Sequence, residues 1–289
     1  MAISKRTPIL PAIFLASALA AAAAPTPVTL VICAPGYPGT TKEAQPSMDV
    51  LASAASKAAG WPSTRLAAEY HETEDAGIAR LKAKTPSLAL VPLPFYLAHA
   101  SELKLTPRAQ AVEKDGKPAV SWTLVAKKGR VTSASSLAGF TVSSLVAYAP
   151  DFIRNVALAK WGKVPADVTF AATGQILSAL RKSANGESVA VLLDEAQASS
   201  LPTLPFASEL EVVTVSPPVP GIVVCTVGSS VGPADTSRLV AGLLKMHESP
   251  EGMSALDAVR LAKFVPLDGK GLAAARASFG PAAKTKAGW

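Results

Sequence analysis

Cysteine is scarce in this 289-residue chain: only Cys33 and Cys225 occur, each inside an apolar run, LVICAP and GIVVCTV. Two thiols build no disulfide framework, and neither has a partner at metal-ligand spacing. Whether the two pair with each other is open at this level, because cysteine also packs as a small hydrophobe. Histidine is equally thin, with His71, His99 and His247 scattered along the chain. No metal centre is therefore expected, and no cofactor. Aromatic residues make up 6% and charged residues 17%. The net charge of +7 is spread out, with Lys127, Lys128 and Arg130 as its nearest approach to a cluster. Nucleic-acid binding would need a basic stripe interleaved with aromatics, so no nucleic-acid partner is expected. The excess reads as a soluble surface whose field draws anions. Neither G-x-G-x-x-G nor G-x-x-x-x-G-K-[ST] occurs, which removes the common phosphate loops. No stretch beyond the N-terminus is long and apolar enough to span a bilayer.

What is present begins with an export signal. Lys5 and Arg6 precede an apolar core from Ile9 to Ala20, and a run of alanines offers A-x-A cleavage sites. Residues 1–24 are expected to be removed beside Ala24, leaving a periplasmic or secreted protein without a stable membrane span. No cysteine sits at the cleavage region, which argues against a lipid anchor. About 265 residues remain, enough for one large domain or two of ordinary size.

Strands and helices then alternate. Val28 to Cys33, Thr64 to Tyr70 and Leu88 to Val91 read as strands, the last ending in a loop Pro92-Leu93-Pro94. Thr40 and Glu43 match a capping box, but a helix begun there carries Pro46 in its interior, which costs about 3 kcal/mol. The helix is therefore expected to start near Pro46, leaving Gly36 to Gln45 as loop. Thr73 caps a second helix, with Glu74 and Asp75 in its first turn. Pro107 to Val125 reads as two extended segments. A second unit has strands at Phe140 to Leu145, Val168 to Ala172, Val189 to Leu193 and Leu210 to Val215. Its helices are expected at Asp151 to Trp161 and Gln175 to Ala184. A stiff Ser216-to-Gly221 connector leads to a strand at Ile222 to Val227, and the remainder reads as helical: Asp235 to His247, Pro250 to Ala262 and a short basic helix. The β-α-β-α-β order implies parallel strands with right-handed crossovers.

Gly228-Ser229-Ser230-Val231-Gly232 matches G-x-S-x-G, but no later strand remains to present an acid and a histidine. A serine hydrolase is thus the weakest reading, and no catalytic residue is assigned. Polar loops directly after strands are the stronger signal, because ligands of open α/β sheets sit at the strands' carboxyl ends. These loops nominate Tyr37, Thr40, Thr41, Tyr96, Ser143, Ser144, Tyr148, Thr173, Gln175 and Asp194 as ligand-binding residues. The hydroxyls supply donors without charge, Tyr37 and Tyr96 supply walls, and Asp194 calls for an amine or a donor hydroxyl on the ligand.

The order of signal, two α/β units, proline-rich return strand and C-terminal helices resembles the type II periplasmic solute-binding proteins. Within them it is most similar to the phosphate, phosphite and phosphonate branch that serves ABC importers. SLALVPLPFYLAH and HESPEGMSALDAVRLAKFVPLD carry the resemblance, which runs from Val28 to Asp268. It implies two lobes, each a mostly parallel sheet flanked by helices: 25–130 with 218–283 as the first, 131–217 as the second, and 284–289 as a tail. It also implies a strand order that keeps Cys33 and Cys225 one strand apart. Two departures stand out. Ala147-Tyr148-Ala149-Pro150 occupies the place of the branch's Ser-Thr-Ser-Gly-like loop, and Thr173-Gly174-Gln175 that of its Ser-His-Asp-like turn. The expected function is capture of a small polar ligand, with phosphate or phosphonate as candidate oxyanions, by a monomer whose hinge closes, for an ABC permease. The alternative is a sensor or assembly partner using the same fold without transport.

Overall fold

The computed structural model describes residues 27–37, 39–83, 85, 87–114 and 116–280. The expected export signal and the 284–289 tail lie outside these residues.

The first strand, β1 (Val28–Cys33), sends Val28, Leu30 and Ile32 into one core and Val31 and Cys33 into another. A strand covered on both faces has no polar side, hence its unbroken apolar run. Helix α1 (Thr41–Ala58) starts five residues before the expected Pro46. The capping box decides this. The Thr40 hydroxyl accepts from the Glu43 amide, and the Glu43 carboxylate takes both the Thr40 amide and hydroxyl at 2.9 Å. Those bonds, with Gln45 anchored on Asp49 and on the Ala68 carbonyl, outweigh the one helical hydrogen bond that Pro46 cannot make.

Next come β2 (Leu66–His71), α2 (Glu74–Leu81) under its expected Thr73 cap, and β3 (Ser87–Pro92). The expected loop after β3 is instead a buried helix, α3 (Leu93–His99), with Pro94 in its first turn, where proline is tolerated. β4 (Leu105–Glu113), β5 (Ala119–Val120), β6 (Thr123–Lys127) and β7 (Thr141–Ser144) follow. The helix expected over Asp151 to Trp161 is shorter: α4 (Pro150–Phe152) runs into a wider turn over Ile153–Ala157 and stops. Then come β8 (Thr169–Ala172), α5 (Ile176–Ala184), β9 (Val189–Leu193), α6 (Glu195–Ser200), β10 (Leu210–Val215), β11 (Val219–Pro220) and β12 (Ile222–Val227). α7 (Pro233–Lys245) and α8 (Pro250–Ala258) lead to β13 (Leu261–Pro266) and α9 (Gly269–Phe279). β13 corrects the helix expected as far as Ala262. Arg260, at φ 58°, turns the chain, and Leu261 onward pairs with the free edge of β4.

Two sheets result, ordered β13-β4-β12-β3-β1-β2 and β10-β6-β9-β7-β8. Each is mixed: a parallel trio, β3-β1-β2 or β9-β7-β8, extended by antiparallel strands. β6 lies in the second sheet, ahead of residue 130. The return strands β12 and β13 complete the first. β5 and β11 pair antiparallel where the chain crosses between sheets. This crossing is tied by side chains. The Ser216 hydroxyl accepts from the Trp122 amide and donates to the Pro217 carbonyl, both at 2.8 Å. Buried Gln110 donates to the Pro118 carbonyl and accepts from the Asp268 amide.

β3 separates Cys33 on β1 from Cys225 on β12. Two strand spacings are about 10 Å, beyond disulfide reach, and both thiols are free.

Candidate ligand-binding cleft

β12 runs antiparallel to both β3 and β4, so β3 and β4 point the same way. Their carboxyl ends share an edge with β1. That edge carries Tyr37, Leu93 and Glu113. In the second sheet β7 and β9 are parallel, and their carboxyl ends carry Val146, Asp194 and Glu195. The two edges face one cavity, whose base is formed by the crossing residues Ser121, Trp122, Pro220 and Gly221. Its volume is about 30 Å³. That is room for a water molecule or two, far below the ~300–1,000 Å³ of sites that enclose drug-sized ligands. The molecule is therefore described in a closed state.

Three carboxylates line this cavity, and among the described lining residues there is no lysine, arginine or histidine. The Tyr37 hydroxyl donates to Glu113 Oε1 at 3.4 Å. Burial holds the Glu113 carboxyl above its ordinary range, and the charges of Asp194 and Glu195 push the same way. The Tyr37 hydrogen bond and Arg260 offset part of this. Burial also raises Asp194, against the amides of Gln197 and Ala196. The Tyr37 phenol is driven up by burial and then by Glu113 and Asp194. Lys117 reaches only the rim, pairing with Glu195 at 3.1 Å with most of its side chain in solvent. Glu113 and Asp194 are thus partly desolvated acids in this site, with Arg260 and Lys117 offsetting part of its negative charge.

Of the sequence candidates, Tyr37 and Asp194 line the cavity. Thr40 and Thr41 are exposed at the start of α1, where the Thr40 hydroxyl is held by Glu43 and the Thr41 amide donates to Glu72. Ser143 and Ser144 are buried, and the Ser144 hydroxyl donates to the Leu192 carbonyl at 2.8 Å. Thr173 accepts from the Gln175 amide, and Gln175 is exposed. Tyr96 is fully buried on α3, its hydroxyl accepting from Arg276 of α9. Tyr148 packs against the core cluster that both sheets share, and its hydroxyl is buried. Glu195, in the polar loop that the sequence marks after the strand Val189 to Leu193, also lines the cavity, and Glu113 and Trp122 are the residues that sequence reasoning missed. Glu113 ends a strand outside the parallel trio, and only the strand order reveals that this end joins the cleft edge.

Ser230 of the G-x-S-x-G match lies at the opposite end of the first sheet. Its hydroxyl donates to the Val227 carbonyl at 2.7 Å and accepts from the Ser87 amide at 3.2 Å, fastening β12 to β3.

Two sheets facing each other across a closed cleft, joined by paired crossing strands, define a two-lobe solute-binding protein. Residues 63–272 match the family described as ABC transporter, phosphonate, periplasmic substrate-binding protein, and the chain belongs to that family. It captures a solute for an importer and is not an enzyme. No curated protein sequence matches the chain. XAC2383 from Xanthomonas citri, bound to chloride ion, is similar at 16% identity and a TM-score of 0.67, over 87% of this chain and 97% of that one. PhnD1 from Prochlorococcus marinus, in complex with methylphosphonate, is similar at 14% identity and a TM-score of 0.57, over 85% and 94%. A binding protein component of an ABC phosphonate transporter from Pseudomonas aeruginosa, PA3383, is similar at 17% identity and a TM-score of 0.56, over 87% and 85%. At these identities the likeness establishes the fold. Among the described residues no helix is long and apolar enough to cross a membrane.

Proposed function

We propose that the chain captures a small zwitterion: an anionic end of the phosphonate class together with a cationic amine. The anionic end follows from the family and from the methylphosphonate that PhnD1 holds. The amine follows from one observation: Glu113 and Asp194 flank the same cavity from opposite lobes, with no cation among the described lining residues. A purely anionic ligand entering there meets like charge at low dielectric, whereas an ammonium group set between the two carboxylates is attracted by both. Tyr37 and Asp194 are the sequence candidates assigned to the ligand, with Glu113 added. Thr40, Thr41, Ser143, Ser144, Thr173 and Gln175 are assigned to positioning the loops, and Tyr96 to the packing of α9.

Lobe 1 is assigned residues 25–130 and 218–283, less the crossing and β6, and lobe 2 residues 131–217 with β6. The ligand bridges them, so its binding free energy favours the closed state. Export by the 1–24 signal, action as a monomer and delivery to a permease complete the reading. The testing experiment is a thermal-shift screen of the chain from residue 25 against paired compounds with and without an amine: 2-aminoethylphosphonate and ethylphosphonate, glycine and acetate, taurine and ethanesulfonate. A ligand at 100 times its Kd adds about 2.7 kcal/mol. Stabilisation by 2-aminoethylphosphonate and not by ethylphosphonate is expected, and the reverse order removes the reading.

A further inference from the structure

The walls of the inter-lobe cavity offer charge but few free hydrogen-bond acceptors. Glu113, Asp194 and Glu195 supply the charge, and each already holds a partner. Glu113 Oε1 accepts from the Tyr37 hydroxyl at 3.4 Å, Asp194 Oδ1 accepts from the Gln197 amide at 2.8 Å, and Glu195 Oε1 meets Lys117 at 3.1 Å. The Gly221 carbonyl accepts from the Leu93 amide at 2.8 Å. Among the described lining residues there is no asparagine or glutamine, and Ser121 brings the one aliphatic hydroxyl. Prolines and branched aliphatics such as Leu93, Val120 and Val146 make up most of the rest, with two aromatic rings, Tyr37 and Trp122.

Trp122 is firmly held. Its amide donates to the Ser216 hydroxyl and its carbonyl accepts from the Ser216 amide, both at 2.8 Å. Its ring meets that of Phe152 in a T-shaped contact, with centroids 5.6 Å apart and planes at 77°. A ring fixed by the lobe crossing and by the core is a preorganised wall. A primary ammonium carries three N–H donors and is strongly hydrated, so burying it calls for acceptors on every side. A methylated ammonium keeps the charge and gives up the donors. Carboxylates nearby and the faces of aromatic rings suffice to hold it.

We propose that the cleft prefers an N-methylated ammonium to a primary one, and that Trp122 is the residue that sets this preference, with Tyr37 as the second aromatic wall. This rests on the amine reading above and deepens it. Glu113 and Asp194 supply the attraction that any cationic end feels, and Trp122 decides which substituents that end carries.

The test is calorimetric titration of the chain from residue 25 with ethylphosphonate, 2-aminoethylphosphonate and N,N,N-trimethyl-2-aminoethylphosphonate. Glycine and N,N,N-trimethylglycine repeat the comparison on a carboxylate. Wild type is expected to bind the trimethyl member of a pair about five-fold tighter than the primary amine. Trp122→Leu keeps an apolar side chain without the ring and is expected to erase that preference, whereas Trp122→Phe keeps part of it. Melting temperatures establish that each variant is folded, and the wild-type comparison decides the matter even where a variant is not. Equal or tighter binding of the primary amines by wild type would overturn the proposal, as would a methyl preference undiminished in folded Trp122→Leu. If 2-aminoethylphosphonate outbinds both ethylphosphonate and the trimethyl compound, the amine reading stands and this inference falls. If ethylphosphonate binds as tightly as both cationic phosphonates, the amine reading fails and takes this inference with it. Absence of binding by both series overturns it as well.

Discussion

Glu113 and Asp194 reach the same cavity from different sheets, and their shared charge carries both stability and selectivity. Both carboxyls are held above their ordinary values, chiefly by burial. The folded chain therefore keeps those protons to higher pH than the unfolded chain does. The sign follows: their contribution is most favourable below the ordinary carboxylate range, is lost as pH rises through the raised folded values, and is flat above them. Glu113→Gln retains an acceptor for the Tyr37 hydroxyl and removes the charge. At neutral pH this variant should melt higher than wild type. The difference between the two should shrink as pH falls toward and below the ordinary carboxylate range. A variant that melts lower at neutral pH, or a pH-independent difference, contradicts the electrostatic account. Asp194 was legible in the sequence because it follows a recognisable buried strand, VAVLL. Glu113 was not, because its place depends on the direction of β4 relative to β3, which β12 sets from more than a hundred positions away.

At the scale of elements, reading was most accurate where one local signal ruled. Val189–Leu193, Leu210–Val215 and Ile222–Val227 are strands over the residues their β-branched runs indicate. Errors arose where two signals competed or where tertiary pairing decided. At α1 a capping box overrode an interior proline. At Leu261–Pro266 the open edge of β4 drew a segment of helical appearance into the sheet. α3 was hidden because Pro92 and Pro94 suggest a loop, although a proline in the first turn of a helix is harmless. The loop between β1 and α1 also carries a testable contact. Gly36 has φ +85°, and a side chain there would meet the Leu145 carbonyl, whereas Gly39 has φ +108° and open space around it. Alanine at either position carries the backbone penalty of about 1 kcal/mol, but only Gly36→Ala obstructs lobe closure. Gly36→Ala should therefore lose at least ten-fold in affinity for 2-aminoethylphosphonate, while Gly39→Ala binds as wild type does at a comparable melting temperature. Equal losses in the two variants would reduce the contact to local strain.

Across the whole molecule, two mixed sheets turn their strand carboxyl ends toward each other, and paired short strands with a serine latch hold the crossing. Such an arrangement performs no bond chemistry. It converts contact with both lobes into a shift toward closure. The two-lobe plan was legible because alternating strands and helices, broken by a proline-rich return, leave few topologies open. The contents of the cleft were not, because closure is a contact between distant segments: Gly36 against Leu145, Glu113 across from Asp194. The central claim is that this cleft selects its solute by an amine. Its most direct test is calorimetric titration of the mature protein with 2-aminoethylphosphonate and with ethylphosphonate, which differ by that group alone. Binding of the amine compound at least ten-fold tighter, about 1.4 kcal/mol, with the advantage reduced several-fold in Glu113→Gln, where Asp194 remains, is the expected result. Equal or tighter binding of ethylphosphonate, or an advantage unchanged by loss of the Glu113 charge, would contradict it.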